Sequence, residues 1–266
     1  MSKKGFEKVT NEEFSLPHCQ LVFEHLAKFH ALSFYMHNEL NIDLSMFDNF
    51  TGKEIIGNIP IVSTTYQIFM EVAKNWDGGS EFVEKMKKFQ PYYIEAIKKL
   101  TEIDPVENKF LVISHGDCHK HNYLFRKNME ECSIIDHQMV SWIGPGYDLI
   151  GALNTFCEPK DNFVNREFLL KCYHREFKRC LKTMNFSHKI PTLFDVHMEV
   201  LKNGLTDLLF WTVYVPLGSM DNSPENTKSF LERYKDALNT PRQKELSKFF
   251  TTFINRGYFD CEEDET

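Results

Sequence analysis

The chain has 266 residues and a mass of 31.4 kDa, which points to one large domain or two small ones. It carries 31 basic against 38 acidic residues, a net charge of −7, and no basic block, which argues against generic binding to phosphate backbones or anionic membranes. A hydrophobic content of 42%, with 24 Phe against 12 Gly, supplies ample core and excludes long-range disorder. The seven cysteines are scattered and form no Cys-x-x-Cys pair. No apolar segment follows MSKKGFEKVT, and the longest apolar stretch, from Leu208 to Leu217, falls short of the roughly 20 residues of a membrane span. These features read as a soluble protein of the reducing cytoplasm.

In chain order, residues 1–15 form a polar segment, and Ser15-Leu16-Pro17 opens a helix with a good N-cap and a proline in the first turn. Leu21, Val22, Leu26, Phe29, Leu32 and Met36 continue it at helical spacing. Residues 39–60 read as a loop. Helical patterns resume at Thr65–Lys74 and Glu81–Leu100, the second expected to kink or split at Pro91. Three short apolar runs, Phe110–Ile113, Tyr123–Phe125 and Ser133–Ile135, suit strands, with a hairpin turn at Arg126–Glu131 between the last two. After Gly144-Pro145-Gly146 the pattern turns helical over Asp148–Phe156, Arg166–Met184, Leu193–Val213, Lys228–Leu238 and Gln243–Asn255. Residues 259–266 form an acidic tail expected to fray.

The chemistry gathers in the β-rich middle. Ile113-Ser-His115-Gly-Asp117-Cys-His-Lys-His-Asn122 is followed, one hairpin later, by Ile135-Asp136-His-Gln138. Phosphoryl transfer needs a carboxylate beside the acceptor hydroxyl, and an amide plus a second carboxylate to hold Mg²⁺ on the phosphates. The spacing lets Asp117 and Asn122 point into one cleft from one loop, and the hairpin returns Asp136 to the same end of the small sheet. Protein kinases order similar residues in a similar way. His115, Cys118, His119 and His121 lack the second ligand cluster that zinc usually draws on, and Cys118 lacks an orienting partner for thiol chemistry. Phe210, Trp211, Tyr214 and Trp142 read more readily as packing aromatics than as the lining of a pocket for a bulky acceptor.

These motifs resemble the ecdysteroid kinase-like family, also called CHK kinase-like, a group of small-molecule kinases related to choline kinases and aminoglycoside phosphotransferases. The resemblance rests on His115-Gly-Asp117 with Asn122, Ile135-Asp136-His-Gln138, Gly146-Tyr-Asp148-Leu, and the helix bearing Leu-Ala-Lys-Phe-His-Ala at 26–31. It implies an α+β, protein-kinase-like fold: residues 16–258 as mainly the helical C-lobe, with a small central β insert whose catalytic loop and metal-site hairpin span 110–148. It further implies an ATP- and Mg²⁺-dependent phosphotransferase acting on a small, lipophilic alcohol such as an ecdysteroid, with neither nucleic acid nor membrane as a partner. Asp117 is then the catalytic carboxylate, with His115 packing and hydrogen-bonding beside it in the catalytic loop. Asn122 and Asp136 hold the metal and, through it, the nucleotide, and Asp148 supports the loop by accepting bonds from its amides.

The chain departs from the family pattern in two places. His137 stands where an aromatic usually follows the metal-site Asp, and His119 and His121 stand where Trp and Asn are frequent. The fifteen residues before the first predicted helix are also too few for an amino-terminal β-rich lobe, and neither a Gly-x-Gly-x-x-Gly loop nor a Val-Ala-x-Lys strand is present. The expectation is a chain that lacks the N-lobe and binds MgATP poorly alone. It is either one lobe of a longer product or an inactive remnant that binds a small ligand or a protein.

Overall fold

The computed structural model describes residues 5–9, 15–47, 53, 57–101, 109–128, 130–156 and 159–260. The acidic tail beyond Asp260 lies outside them, as does part of the predicted loop 39–60. The strands are β1 (Phe6–Glu7), β2 (Val112–Ser114), β3 (Tyr123–Arg126), β4 (Cys132–Ile134) and β5 (Ser141–Ile143). The longer helices are α1 (Leu16–Asn38), α2 (Ile59–Ala73), α3 (Gly79–Thr101), α4 (Gly146–Phe156), α5 (Pro159–Thr183) and α6 (Leu193–Lys202). Shorter ones follow as α7 (Gly204–Leu209), α8 (Val215–Ser219), α9 (Phe230–Leu238), α10 (Pro241–Lys244) and α11 (Phe250–Asn255). The described chain divides into two compact units, one of residues 1–53 and 102–203, the other of 54–101 and 204–266. No described helix is long and apolar enough to cross a membrane.

In the first unit, α1 begins where predicted. Ser15 is extended at φ −135°, and its backbone N–H donates to His18 Nδ1 at 3.2 Å. Val22, Phe23, Leu26, Ala27, Ala31 and Phe34 form the buried stripe, and His30 lies within it. Phe34 meets Phe110 and Phe177 edge-on at 5.7 and 5.6 Å, so α1, α5 and the chain entering β2 share one aromatic core. Burying side chains of this size contributes about 1.5–3 kcal/mol each.

The expected three-stranded insert is instead two small sheets. β3 pairs antiparallel with β4, and β1, drawn from the segment read as polar, pairs with β3 on its other edge. β2 joins neither; it pairs antiparallel with β5, which has no strong sequence signal. The reason is packing. Trp142 of β5 is buried with Leu44 and Leu111, and its backbone N–H donates to Phe47 O at 2.9 Å, so the stretch read as loop supplies part of this core.

In the second unit, α3 passes through Pro91 without a break. Pro91 and Lys87 lie on the exposed face, where water can satisfy the Lys87 carbonyl that loses its donor. Tyr66 stacks on Tyr93 at 4.0 Å, and Phe82 on Phe250 at 3.9 Å. The long helix expected over Leu193–Val213 ends at Lys202, and residues Phe210–Tyr214 wind as a π-helix. Pro216 explains the wider turn. It cannot donate to Thr212 O, the Val215 N–H bonds Phe210 O instead, and two carbonyls are freed. The Tyr234 hydroxyl fills one at Thr212 O, and Gln243 Nε2 fills the other at Trp211 O from 2.8 Å.

Candidate active site

The site is built on the loop that leaves β2. At Gly116 the backbone takes φ +79°, a left-handed conformation that glycine adopts without a Cβ clash. This turn aims two consecutive amides at one carboxylate: His115 N donates to Asp148 Oδ2 at 2.6 Å, and Gly116 N to Oδ1 at 2.9 Å. Asp148 sits in the first turn of α4 and is fully buried. A Cβ on Gly146 would lie 2.4 Å from Glu199 O, so this glycine lets the start of α4 approach α6 and seats Asp148 under the loop.

A second layer lies behind Asp148. The Tyr173 hydroxyl donates to His30 Nδ1 at 2.9 Å, leaving His30 Nε2–H to donate to Asp148 Oδ2 at 3.1 Å. His30 and Tyr173, like Asp148, are wholly buried. Burial alone would raise the Asp148 carboxyl. Hydrogen bonds from His30 and from the His115 backbone outweigh it and hold the group down to about 2. Neither His30 nor Tyr173 was singled out from the sequence. His30 did leave a signal, a polar residue in register with Val22, Leu26 and Phe34 on a buried helical stripe, which requires a partner. Tyr173 left none.

His115 is also fully buried and fully paired: its Nδ1 accepts from Asp117 N at 3.3 Å, and its Nε2 reaches Ile135 O at 3.1 Å. An acceptor Nδ1 places the proton on Nε2, so the ring is a neutral strut between the loop after β2 and the β3–β4 hairpin. His137 keeps a ring where the family carries an aromatic, packing against His115 and Phe29 with centroids 5.2 and 5.8 Å apart. Cys118 is buried against the Tyr123 hydroxyl at 3.8 Å. Burial, helped by the Asp148 charge, pushes its thiol well up and leaves it no nucleophile.

Asp117 and Asn122 come together. Asn122 Nδ2 donates to both Asp117 O and Asp117 Oδ2 at 3.0 Å. Asp117 is part-exposed, and its carboxyl lies below the ordinary range, first through His119, whose Nε2 is 3.3 Å from Oδ2, and then, against a desolvation cost, through the bond from Asn122. The β3–β4 register sets Tyr123 opposite Ile134, and Ile135 N donates to Asn122 O at 2.9 Å, which puts the backbone of Asp136 next to Asn122. Asp136 is exposed and takes φ +67°, ψ +65°. A left-handed non-glycine residue costs about 1–2 kcal/mol, and such outliers gather at functional sites.

Metal binding can be judged on these atoms. Among the described residues, the Asp136 carboxylate makes no hydrogen bond or ion pair, and nothing donates to Asn122 Oδ1. Two hard oxygens, each without a protein donor, fit Mg²⁺, which would complete its octahedron with waters and phosphates. No three His, Cys, Asp or Glu side chains among the described residues converge as a metal cage.

The model of the ecdysteroid kinase-like family matches residues 1–186. No curated protein matches the chain. Among solved structures, choline kinase from Cryptosporidium parvum Iowa II is similar at 15% identity and a TM-score of 0.46, covering 95% of this chain and 68% of that one. The family match takes in α1 with its buried His30, the whole loop after β2, Asp136 and the Asp148 support beneath it. The fold is α+β and kinase-like, and the chain belongs to the ecdysteroid kinase-like family.

Proposed function

We propose that this small-molecule kinase transfers the γ-phosphoryl group of ATP to a hydroxyl of a small, lipophilic alcohol, an ecdysteroid being the acceptor its family name suggests. The observation that carries the reading is the Asn122 amide, which bonds both the backbone and the carboxylate of Asp117 while, among the described residues, nothing donates to its carbonyl oxygen.

Asp117 orients the acceptor hydroxyl and takes its proton as the acceptor oxygen bonds to the γ-phosphorus and the bond to the ADP oxygen breaks. Its low basicity suits this step, because a loose phosphoryl-transfer transition state demands positioning more than a strong base. Asn122 and Asp136 would hold a magnesium ion, which, when bound, neutralises phosphate charge. His115, Gly116 and Asp148 keep the loop from moving as the nucleotide binds.

The test is phosphoryl transfer from labelled ATP to a panel of ecdysteroids and other sterol alcohols, together with thermal shifts. Asp117→Asn is expected to abolish transfer while nucleotide binding persists, and Asp136→Ala to remove the Mg²⁺-dependent part of that binding. Transfer at the wild-type rate in either variant overturns the role given to that residue. A chain that responds to lipophilic alcohols but never to MgATP is instead a ligand-binding module of the same fold.

A further inference from the structure

Helix α4 meets the loop after β2 with a second side chain besides Asp148. Thr155 sits in its last turn, seven residues after Asp148, and two turns of about 3.6 residues bring both side chains to one face. The Thr155 hydroxyl lies 2.7 Å from two carbonyl oxygens, Gly151 O within the helix and Cys118 O in the loop. It has one proton to give. Gly151 O already receives the Thr155 backbone N–H in the helical ladder. Cys118 is buried, and among the described residues nothing else donates to its carbonyl. A buried carbonyl without a donor is costly, so the hydroxyl proton belongs on Cys118 O.

That bond falls on a peptide unit that shapes Asp117. The amide of the same Cys118–His119 peptide, His119 N, donates to Asp117 O at 2.9 Å and closes a three-residue turn. Asn122 Nδ2 donates to the same Asp117 oxygen and to Oδ2, both at 3.0 Å. We propose that Thr155 is a positioning residue for phosphoryl transfer: its hydroxyl holds the Cys118–His119 peptide, and that peptide with Asn122 fixes where the Asp117 carboxylate points. The inference rests on the kinase reading of Asp117. α4 thereby grips the loop on both sides of Asp117. It presents an acceptor where the loop offers amides, at His115 and Gly116, and a donor where the loop offers a carbonyl, at Cys118. Threonines in helices commonly back-bond the carbonyl four residues earlier and do no more. Here a loop carbonyl stands equally near.

Two measurements on the full chain decide the matter. Thr155→Val keeps the shape of the side chain and removes its donor, whereas Thr155→Ser retains a hydroxyl. In Thr155→Val, amide hydrogen exchange should quicken about 3- to 10-fold at His119 and Asn122, as one lost hydrogen bond allows, and stay at the wild-type rate at His115 and Gly116, which Asp148 holds. Hydrolysis of MgATP, with water as the acceptor, should fall about 10- to 100-fold in kcat in the same variant, at unchanged KM for MgATP. Thr155→Ser should regain most of both losses. The role is overturned by wild-type exchange at His119 and Asn122 in Thr155→Val, or by equal quickening at all four amides, which would make Thr155 a support of the fold at large. Wild-type kcat in Thr155→Val, Thr155→Ser faring no better than Val, or KM changing in step with kcat overturns it too. A wild-type chain that never hydrolyses MgATP defeats the kinase reading and with it the role in transfer, and the exchange rates then decide by themselves whether Thr155 holds the loop.

Discussion

The inner side of the loop after β2 and the outer edge of the candidate site are built on opposite rules. Behind the loop, Asp148 is fully buried, takes two amides and one imidazole, and starts an α-helix with ordinary geometry. At the edge, Asp136 is exposed, has no protein partner among the described residues, and sits in left-handed backbone. The same side chain is thus a completed joint in one place and an open ligand in the other. A carboxylate whose oxygens are all engaged holds structure, whereas one kept unpaired at a backbone cost is available to something outside the chain.

The sharpest way to break this contrast is Asp148→Ala. It strands two amides and His30 Nε2 in a buried space, and should cost about 3–5 kcal/mol in urea denaturation. A loss under 1 kcal/mol would mean that the loop does not depend on this joint. Acid gives a milder version. The folded carboxyl, at about 2, lies below its ordinary 3.8. Its contribution is therefore complete above about pH 4 and is lost as pH falls from there toward 2, about 2 kcal/mol in all. Asp148→Asn should flatten that part of the stability–pH curve.

Tyr173→Phe removes only the outermost bond of the inner layer, to His30 Nδ1. It should cost about 1 kcal/mol, and a larger loss would show that the three buried groups act as one unit. Asp136→Gly should change stability least, by under about 1 kcal/mol of either sign, because glycine accepts the left-handed backbone without strain. The same variant should nevertheless abolish the Mg²⁺-dependent rise in melting temperature with ATP. A variant that unfolds readily would place Asp136 with Asp148 among the structural joints.

The parts of this molecule readable in advance are those governed by near neighbours in the chain. The stripe of α1, its start at Ser15, and the β3–β4 hairpin follow from spacing and turn chemistry. Asp117 and Asn122 meet because a single turn of the loop joins them. The errors share one cause, a choice made by distant partners. β2 pairs with β5 because Trp142 is buried with Leu44 and Leu111. Pro91 is tolerated because its face of α3 is solvated, while Pro216 widens a turn because Tyr234 and Gln243 stand ready to take the freed carbonyls.

By itself the sequence determined the order and spacing of the motif residues and the family to which the chain belongs, since motif and spacing are local properties. Only the tertiary structure decided that His30 and Tyr173 anchor the loop through Asp148, residues 118 and 143 positions apart in these pairings. It alone also sets one aspartate at full burial and another in solvent. Burial and hydrogen-bond satisfaction depend on what packs around a group, and that is settled when the whole core closes.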